Sequence, residues 1–132
     1  MLRTVFNNKK VFIPFIMAGH PSMESSKQAI HALSKANVDI IELGVPFSDP
    51  VADGVVNQRA ATAALKQGTT LSSILNLVQS VRLEGVTTPI ILFSYFNPIV
   101  AFGLDAFARV AKEKGVNAVS YTHLTLPTIY SV

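Results

Sequence analysis

The fold is decided by the first apolar segment of the chain, residues 11–21, which reads VFIPFIMAGHP. Val11 to Met17 form a short, nearly continuous apolar run, and the breakers Gly19 and Pro21 end it. A run of this kind is typical of a strand that is buried on both faces, whereas a half-exposed strand alternates apolar and polar residues. The segment therefore predicts a first strand that other elements cover on both sides.

The rest of the chain alternates between helical and extended patterns. Ser22 and Thr70 are predicted helix N-caps, because each precedes a segment in which apolar residues recur at helical spacing. Strands are predicted at residues 11–17, 38–43, 90–93 and 116–119, and helices at residues 22–37, 55–66, 70–81 and 104–114. This order predicts an α/β fold with a parallel sheet built from right-handed β-α-β units.

Two architectures share this pattern, an open doubly wound sheet and a closed (β/α)8 TIM barrel. A dinucleotide-binding doubly wound sheet carries G-x-G-x-x-G in the turn after its first strand, but here that turn reads Ala18-Gly19-His20-Pro21. The barrel is therefore favoured. A whole barrel usually needs ~250 residues, so a chain of 132 residues supplies about four of the eight parallel strands. If Ile13, Phe15, Ile41 and Ile91 point inward, half a barrel would expose them.

The composition is that of a globular protein, with 49% apolar against 14% charged residues. The formal charge is +3, and the basic residues are scattered, so nucleic-acid binding is not predicted. Cysteine is absent, which excludes a disulfide scaffold and fits a cytoplasmic location. No segment is typical of a signal peptide or of a membrane helix, which needs ~20 apolar residues. We expect a soluble protein.

Three carboxylates lie at the end of the second strand and in the loop that follows. Glu42 lies near the end of the strand, and Asp49 and Asp53 lie in the loop. Barrel enzymes place their working residues there, and paired carboxylates can divide the tasks of general acid and general base. Glu42 lies between Ile41 and Leu43, where a charge is costly unless it is partnered or used. Turn formation is the alternative for both aspartates, because Asp before Pro or Gly is common for backbone reasons.

The sequence supports neither a metal site nor a serine hydrolase. His20, His31 and His123 have no ligand spacing between them and predict no metal site. The chain also lacks the G-x-S-x-G pattern of a nucleophile elbow.

The segment ELGVPFSDPVADG, residues 42–54, closely resembles the signature of the tryptophan synthase alpha chain family. Further matches within residues 10–119 are Pro14-Phe15, Gly68-Thr69-Thr70, Tyr95 and Asn97. The resemblance implies the N-terminal half of a TIM barrel. It also implies a lyase of tryptophan biosynthesis, which cleaves indole-3-glycerol phosphate by a retro-aldol reaction into indole and glyceraldehyde 3-phosphate.

The same resemblance implies roles for individual residues. Glu42 matches the family's catalytic glutamate, which moves a proton at the indole ring carbon, and Asp53 matches the aspartate that assists at the indole nitrogen. Phe15, Phe93 and Tyr95 are implied to line the indole pocket, although aromatic residues at strand ends are as often part of the core.

The resemblance also implies a partner. Pro46 and Asp49 would lie in a loop that faces the beta chain, with which the family forms an alpha2-beta2 heterotetramer. No cofactor is implied for this chain, since the pyridoxal phosphate belongs to the beta partner. His20 stands where an acidic residue is more usual in the family.

The last segment, from Ser120 to Val132, matches nothing expected after a fourth strand and resembles translated adapter sequence. We therefore predict a partial barrel domain at residues 1–119 and an unrelated tail at residues 120–132 that arose in sequencing or assembly. The family's phosphate-binding turns would follow, so the fragment alone is expected to be inactive. Two alternatives stay open, a non-catalytic docking module for a beta chain and a related phosphate-binding barrel with another substrate.

Overall fold

The structure is a computed structural model that describes residues 5–7 and 10–122. The strands are β1 (Phe15–Met17), β2 (Ile41–Gly44), β3 (Ile90–Tyr95) and β4 (Ala118–Thr122). The helices are α1 (Met23–Lys35), α2 (Val55–Lys66), α3 (Leu71–Leu83), α4 (Phe96–Phe102) and α5 (Leu104–Glu113). None of the helices in these ranges is long and apolar enough to cross a membrane.

The strands form one parallel sheet in the order β1-β2-β3-β4. A doubly wound sheet reverses its order at a switch point, where a ligand then binds. Strands that pair in chain order without reversal follow instead the order of a barrel wall. The sheet order therefore decides between the two architectures that the sequence pattern left open.

The strand register defines two rows of residues on one face of the sheet. Phe15, Glu42, Ile91 and Ala118 pair across the four strands in the first row. Met17, Gly44, Phe93 and Ser120 form the second row, nearer the C-terminal end of the strands. Since side chains alternate between faces along a strand, both rows belong to the face that a barrel encloses.

The opposite face carries the main core, beneath α1, α3 and α5. Leu43 and Leu92 are fully buried there against Ile30 of α1 and Val78 of α3. Ile41 is also fully buried in this cluster. Ile41, one of the four residues that half a barrel would expose if they pointed inward, therefore lies on the helix side, because it is next to Glu42 in the strand.

The helix caps are as predicted. The Ser22 hydroxyl accepts a hydrogen bond from the amide of Ser25 at 3.0 Å. Thr70 and Ser73 form a reciprocal capping box at the start of α3. Caps of this kind satisfy amides that have no partner within the helix.

Two elements depart from the predicted order. The segment around Pro98, predicted as a loop, forms α4, because proline is tolerated in a first helical turn, where an amide has no partner anyway. β4 continues to Thr122, so the predicted domain boundary after Val119 falls inside a strand. Residues 123–132 of the predicted tail, including His123, lie outside the described residues.

A guanidinium group ties the N-terminal ends of β3 and β4 together. Arg82 Nη1 donates to the carbonyls of Val86 at 2.8 Å and Thr88 at 2.7 Å, and Nε donates to Gly115 at 3.1 Å. Nη2 donates to Asn117 Oδ1 at 2.8 Å, which also accepts the amide of Ile90. One side chain thus joins the segments that precede both strands.

Candidate active site

The loop after β2, residues 45–54, lies across the C-terminal end of β3. The backbone amide of Ala52 donates to the Tyr95 hydroxyl at 2.9 Å, and the ring centroids of Phe47 and Tyr95 are 5.1 Å apart. Tyr95 is buried at the end of its strand. The phenol therefore fixes the loop to the sheet at Ala52.

The electrostatic surroundings keep this phenol protonated. Burial raises the pKa of Tyr95, and the hydrogen bond from Ala52 opposes that rise. The charge of Asp53, a hydrogen bond to its carboxylate and the charge of Asp49 raise the pKa further. A phenol whose pKa lies above its ordinary value of ~10 is neutral at physiological pH and can donate to a carboxylate.

Four of the predicted site residues line one small cavity at the C-terminal end of the sheet. Phe15, Phe93, Tyr95 and Asp53 lie around it, with Gly44 between them. The rings of Phe15 and Phe93 meet edge to face, with centroids 6.0 Å apart. The cavity measures about 10 Å³, which is close to the space that one water molecule requires. A bicyclic ring would fit only after Phe15 or the loop moved.

Gly44 is required by the position of Phe15. A methyl group on Gly44 would lie 2.6 Å from Cζ of Phe15 and 3.2 Å from the sulfur of Met17. The missing side chain thus gives the Phe15 ring its place over β2. Sequence reasoning did not identify Gly44 as a site residue, because its role depends on a ring from the neighbouring strand.

Glu42 does not line this cavity. It is half-buried in the first row, between Phe15 and Ile91, one row below Gly44 on the same face. Two residues of strand rise separate these rows by ~6.6 Å. The structure thus places Glu42 beneath the cavity that contains Asp53.

A second, larger cavity adjoins Tyr95 at the C-terminal ends of β3 and β4. It measures about 360 Å³, and its lining includes Asp49, Phe47, Asn97 and Thr122. Asp49 is exposed there, whereas Pro46 is buried. Of the two predicted partner-facing residues, only Asp49 therefore offers its side chain to the surface.

Gln58 is a site residue that sequence reasoning missed. Its side-chain nitrogen donates to the carbonyl of Asp53 at 2.9 Å and contacts the carbonyl of Pro50 at 3.5 Å. The only available signal was its place in the first turns of the helix that follows Asp53. Within the described ranges, no three His, Asp or Glu side chains come together as metal ligands would.

Comparisons with known proteins identify the relatives of this chain. A family model described as "Tryptophan synthase alpha chain" matches residues 2–126. The tryptophan synthase alpha chain of Geobacillus stearothermophilus is 49% identical over 112 residues, which are 85% of this chain and 42% of that protein. That of Prochlorococcus marinus subsp. pastoris is 42% identical over 94% of this chain and 44% of its own length. The chain thus spans less than half the length of these relatives.

Solved structures give the same result. Tryptophan synthase subunit alpha from Legionella pneumophila str. Paris superimposes with a TM-score of 0.83 at 41% identity, covering 89% of this chain and 45% of that chain. A chain of tryptophan synthase from M. tuberculosis, in an aminoacrylate-bound form, gives 0.85 at 34% identity, covering 97% and 53%. The predicted fold class, half of a TIM barrel with four parallel strands, is confirmed.

Proposed function

This chain belongs to the tryptophan synthase alpha chain family, and from that premise we propose that it supplies the acid–base residues of a carbon–carbon lyase site. The substrate would be indole-3-glycerol phosphate, and the products indole and glyceraldehyde 3-phosphate. The observation that carries the proposal is the convergence of Asp53, Phe15, Phe93 and Tyr95 on one cavity above Glu42. The fragment alone would be inactive, since the rest of a barrel is needed to enclose the substrate.

The chemistry asks for two carboxylates with different tasks. Glu42 would protonate the indole ring carbon that carries the glycerol chain, while Asp53 takes the proton from the ring nitrogen. Glu42 would then remove the proton of the adjacent hydroxyl, so that the carbon–carbon bond breaks and its electron pair restores the indole ring. The nitrogen recovers its proton, and the hydroxyl carbon becomes the aldehyde. A positioned acid or base typically contributes ~10²- to 10⁴-fold.

The aromatic side chains would hold the indole ring. Phe15 and Phe93 offer an apolar wall with the edge-to-face geometry that aromatic rings prefer. Tyr95 would close the wall and place its hydroxyl beside Asp53. This step requires the small cavity to open by displacement of Phe15 or of the loop.

We further propose that the larger cavity beside Tyr95 faces a beta chain, in an alpha2-beta2 assembly whose pyridoxal phosphate lies in the partner. The exposed Asp49 and the neighbouring Asn97 support a polar contact there. Pro46 is buried, so its contribution would be to the shape of the loop. A cytoplasmic setting fits a chain without cysteine.

The test is to complete the barrel. Residues 1–119 would be joined to the complementary C-terminal part of the Geobacillus stearothermophilus alpha chain, and release of glyceraldehyde 3-phosphate would be followed. Glu42→Gln and Asp53→Asn are each expected to lower kcat by ~10²- to 10⁴-fold. Glu113→Gln, on the exposed side of α5, is the matched control and should retain full turnover.

Parental turnover in the Glu42→Gln variant would overturn the lyase proposal. If Glu42→Gln no longer turns over substrate but still binds a beta chain, catalysis and docking are separate functions. If the completed parent protein binds a beta chain but never turns over substrate, the docking-module alternative replaces the lyase.

A further inference from the structure

The backbone at Asp53 is fixed on both sides of its Cα atom. On one side, its amide donates to the carbonyl of Pro50 at 3.1 Å. On the other side, its carbonyl accepts from Gln58 Nε2 at 2.9 Å. Each peptide unit is planar, so two held planes determine the φ and ψ angles of the residue between them. The direction of the Cα–Cβ bond of Asp53 follows from those angles.

The N-cap residue of α2 cannot take over the hydrogen bonds that Gln58 makes. The N-cap of α2 is Gly54, which offers no side-chain hydrogen bond to the helix. The two protons on Nε2 of Gln58 face two carbonyl oxygens, those of Asp53 and Pro50. The side chain is half-buried. A carboxylate or a thioether at this position could donate to neither oxygen.

We propose that Gln58 is a positioning residue, whose side-chain amide fixes the backbone from which the Asp53 side chain enters the cavity. Tyr95 cooperates from the other side, because its hydroxyl holds the amide of Ala52 at 2.9 Å. The importance of this for catalysis rests on the proposed function, which gives Asp53 its task. The positioning itself is a property of the loop and can be measured without turnover.

The first measurement is backbone amide exchange on the whole 132-residue chain. Gln58→Met keeps the length of the side chain but removes both donor protons, so exchange at the Asp53 amide should accelerate by about tenfold. Exchange in the later turns of α2 should stay within about twofold of the parent. Gln67→Met, at the far end of the same helix, is the control, because its side-chain amide has no hydrogen-bond partner among residues 10–122.

The second measurement reports the direction of the carboxylate. The pKa of Tyr95 is raised by burial and then by the carboxylates of Asp53 and Asp49, while the bond from Ala52 lowers it. Asp53→Asn removes one charge, so it should lower the pH at which labelled Tyr95 ionises. Gln58→Met should reproduce part of that fall, because the carboxylate is then free to turn away from the phenol.

Two results would overturn the inference. One is an unchanged Asp53 amide together with unchanged Tyr95 ionisation in Gln58→Met. The other is faster exchange along the whole of α2, which would make Gln58 only a helix stabiliser. If Gln58→Met does not fold, Gln58→Asn, which is shorter by one methylene, gives the same comparison. Neither measurement uses turnover, so an active Asp53→Asn barrel would refute the proposed function and leave the positioning of Asp53 untouched.

Discussion

Replacement of Arg82 by methionine should weaken the N-terminal edge of the sheet more than any single exposed charge does. The guanidinium donates four hydrogen bonds, three of them to the carbonyls of Val86, Thr88 and Gly115. Burial removes part of the hydration of the Arg82 guanidinium and so lowers its pKa. Because the side chain is only half-buried, we assign each bond ~0.5–1 kcal/mol, the lower part of the usual range. The expected loss of unfolding free energy is about 2–4 kcal/mol.

Urea unfolding followed by far-UV circular dichroism measures this loss, with the m value as a check that both proteins unfold alike. Arg82→Lys should lose about half as much, because an ammonium group lacks the planar fork that reaches four acceptors. Arg109→Met is the control, since its guanidinium lies 3.8 Å from Glu113 and both side chains are largely exposed. That change should cost less than about 0.5 kcal/mol. Equal losses for the two methionine variants would refute the reasoning.

Two further predictions concern the inner face and the helix surface. Gly44→Ala should push the Phe15 ring from its place and cost about 1–3 kcal/mol in urea unfolding. Gly54→Ala, with no atom within 4 Å of the added methyl group, should cost less, limited to the loss of a glycine N-cap. The pKa of Glu84 is lowered to about 2, first by its hydrogen bond with Lys27, so its contribution to stability is complete above about pH 4.5 and is lost as the pH falls towards 2. Glu84→Gln should therefore reduce the difference between urea midpoints at about pH 6 and about pH 3, and an unchanged difference would contradict the assignment.

The helices were the part of the fold that the sequence predicted best, because their limits depend on local chemistry. Ser22 and Thr70 cap their helices as their residue types predict. The limits of α2, Val55 and Lys66, are also those predicted. A cap involves residues only three positions apart, so no distant contact is needed to recognise it.

Strand limits and strand faces were harder, since they depend on partners far along the chain. β1 begins at Phe15 and not at Val11. The face of Ile41 could not be determined from the sequence, because a strand covered on both sides lacks the alternation that would reveal it. The helical state of residues 96–102 was missed because Asn97 and Pro98 are typical of loops.

The residues of the candidate site divide in the same way, into those that local sequence reveals and those whose role depends on distant contacts. Strand-end position and family resemblance identified Glu42, Asp53 and the aromatic residues, and the structure brings Asp53 and the rings to one cavity. Gln58 and Gly44 could not be predicted, because their roles depend on carbonyl groups and a ring that only the folded chain places beside them. The catalytic and partner-facing roles of the site residues stay predictions.

The order of the strands also bears on how the chain acquires its structure. Within the part of the chain that the structure describes, each strand pairs with the strands next to it in the chain, as in Phe15 with Glu42 and Ile91 with Ala118. Loop-closure entropy then rises in modest steps, and no pairing has to wait for a distant segment. During synthesis on the ribosome, β1 and β2 can pair before β3 has emerged. Each later strand can then pair with the exposed edge of the strands already formed. The sheet is thus suited to growth from its N-terminal end.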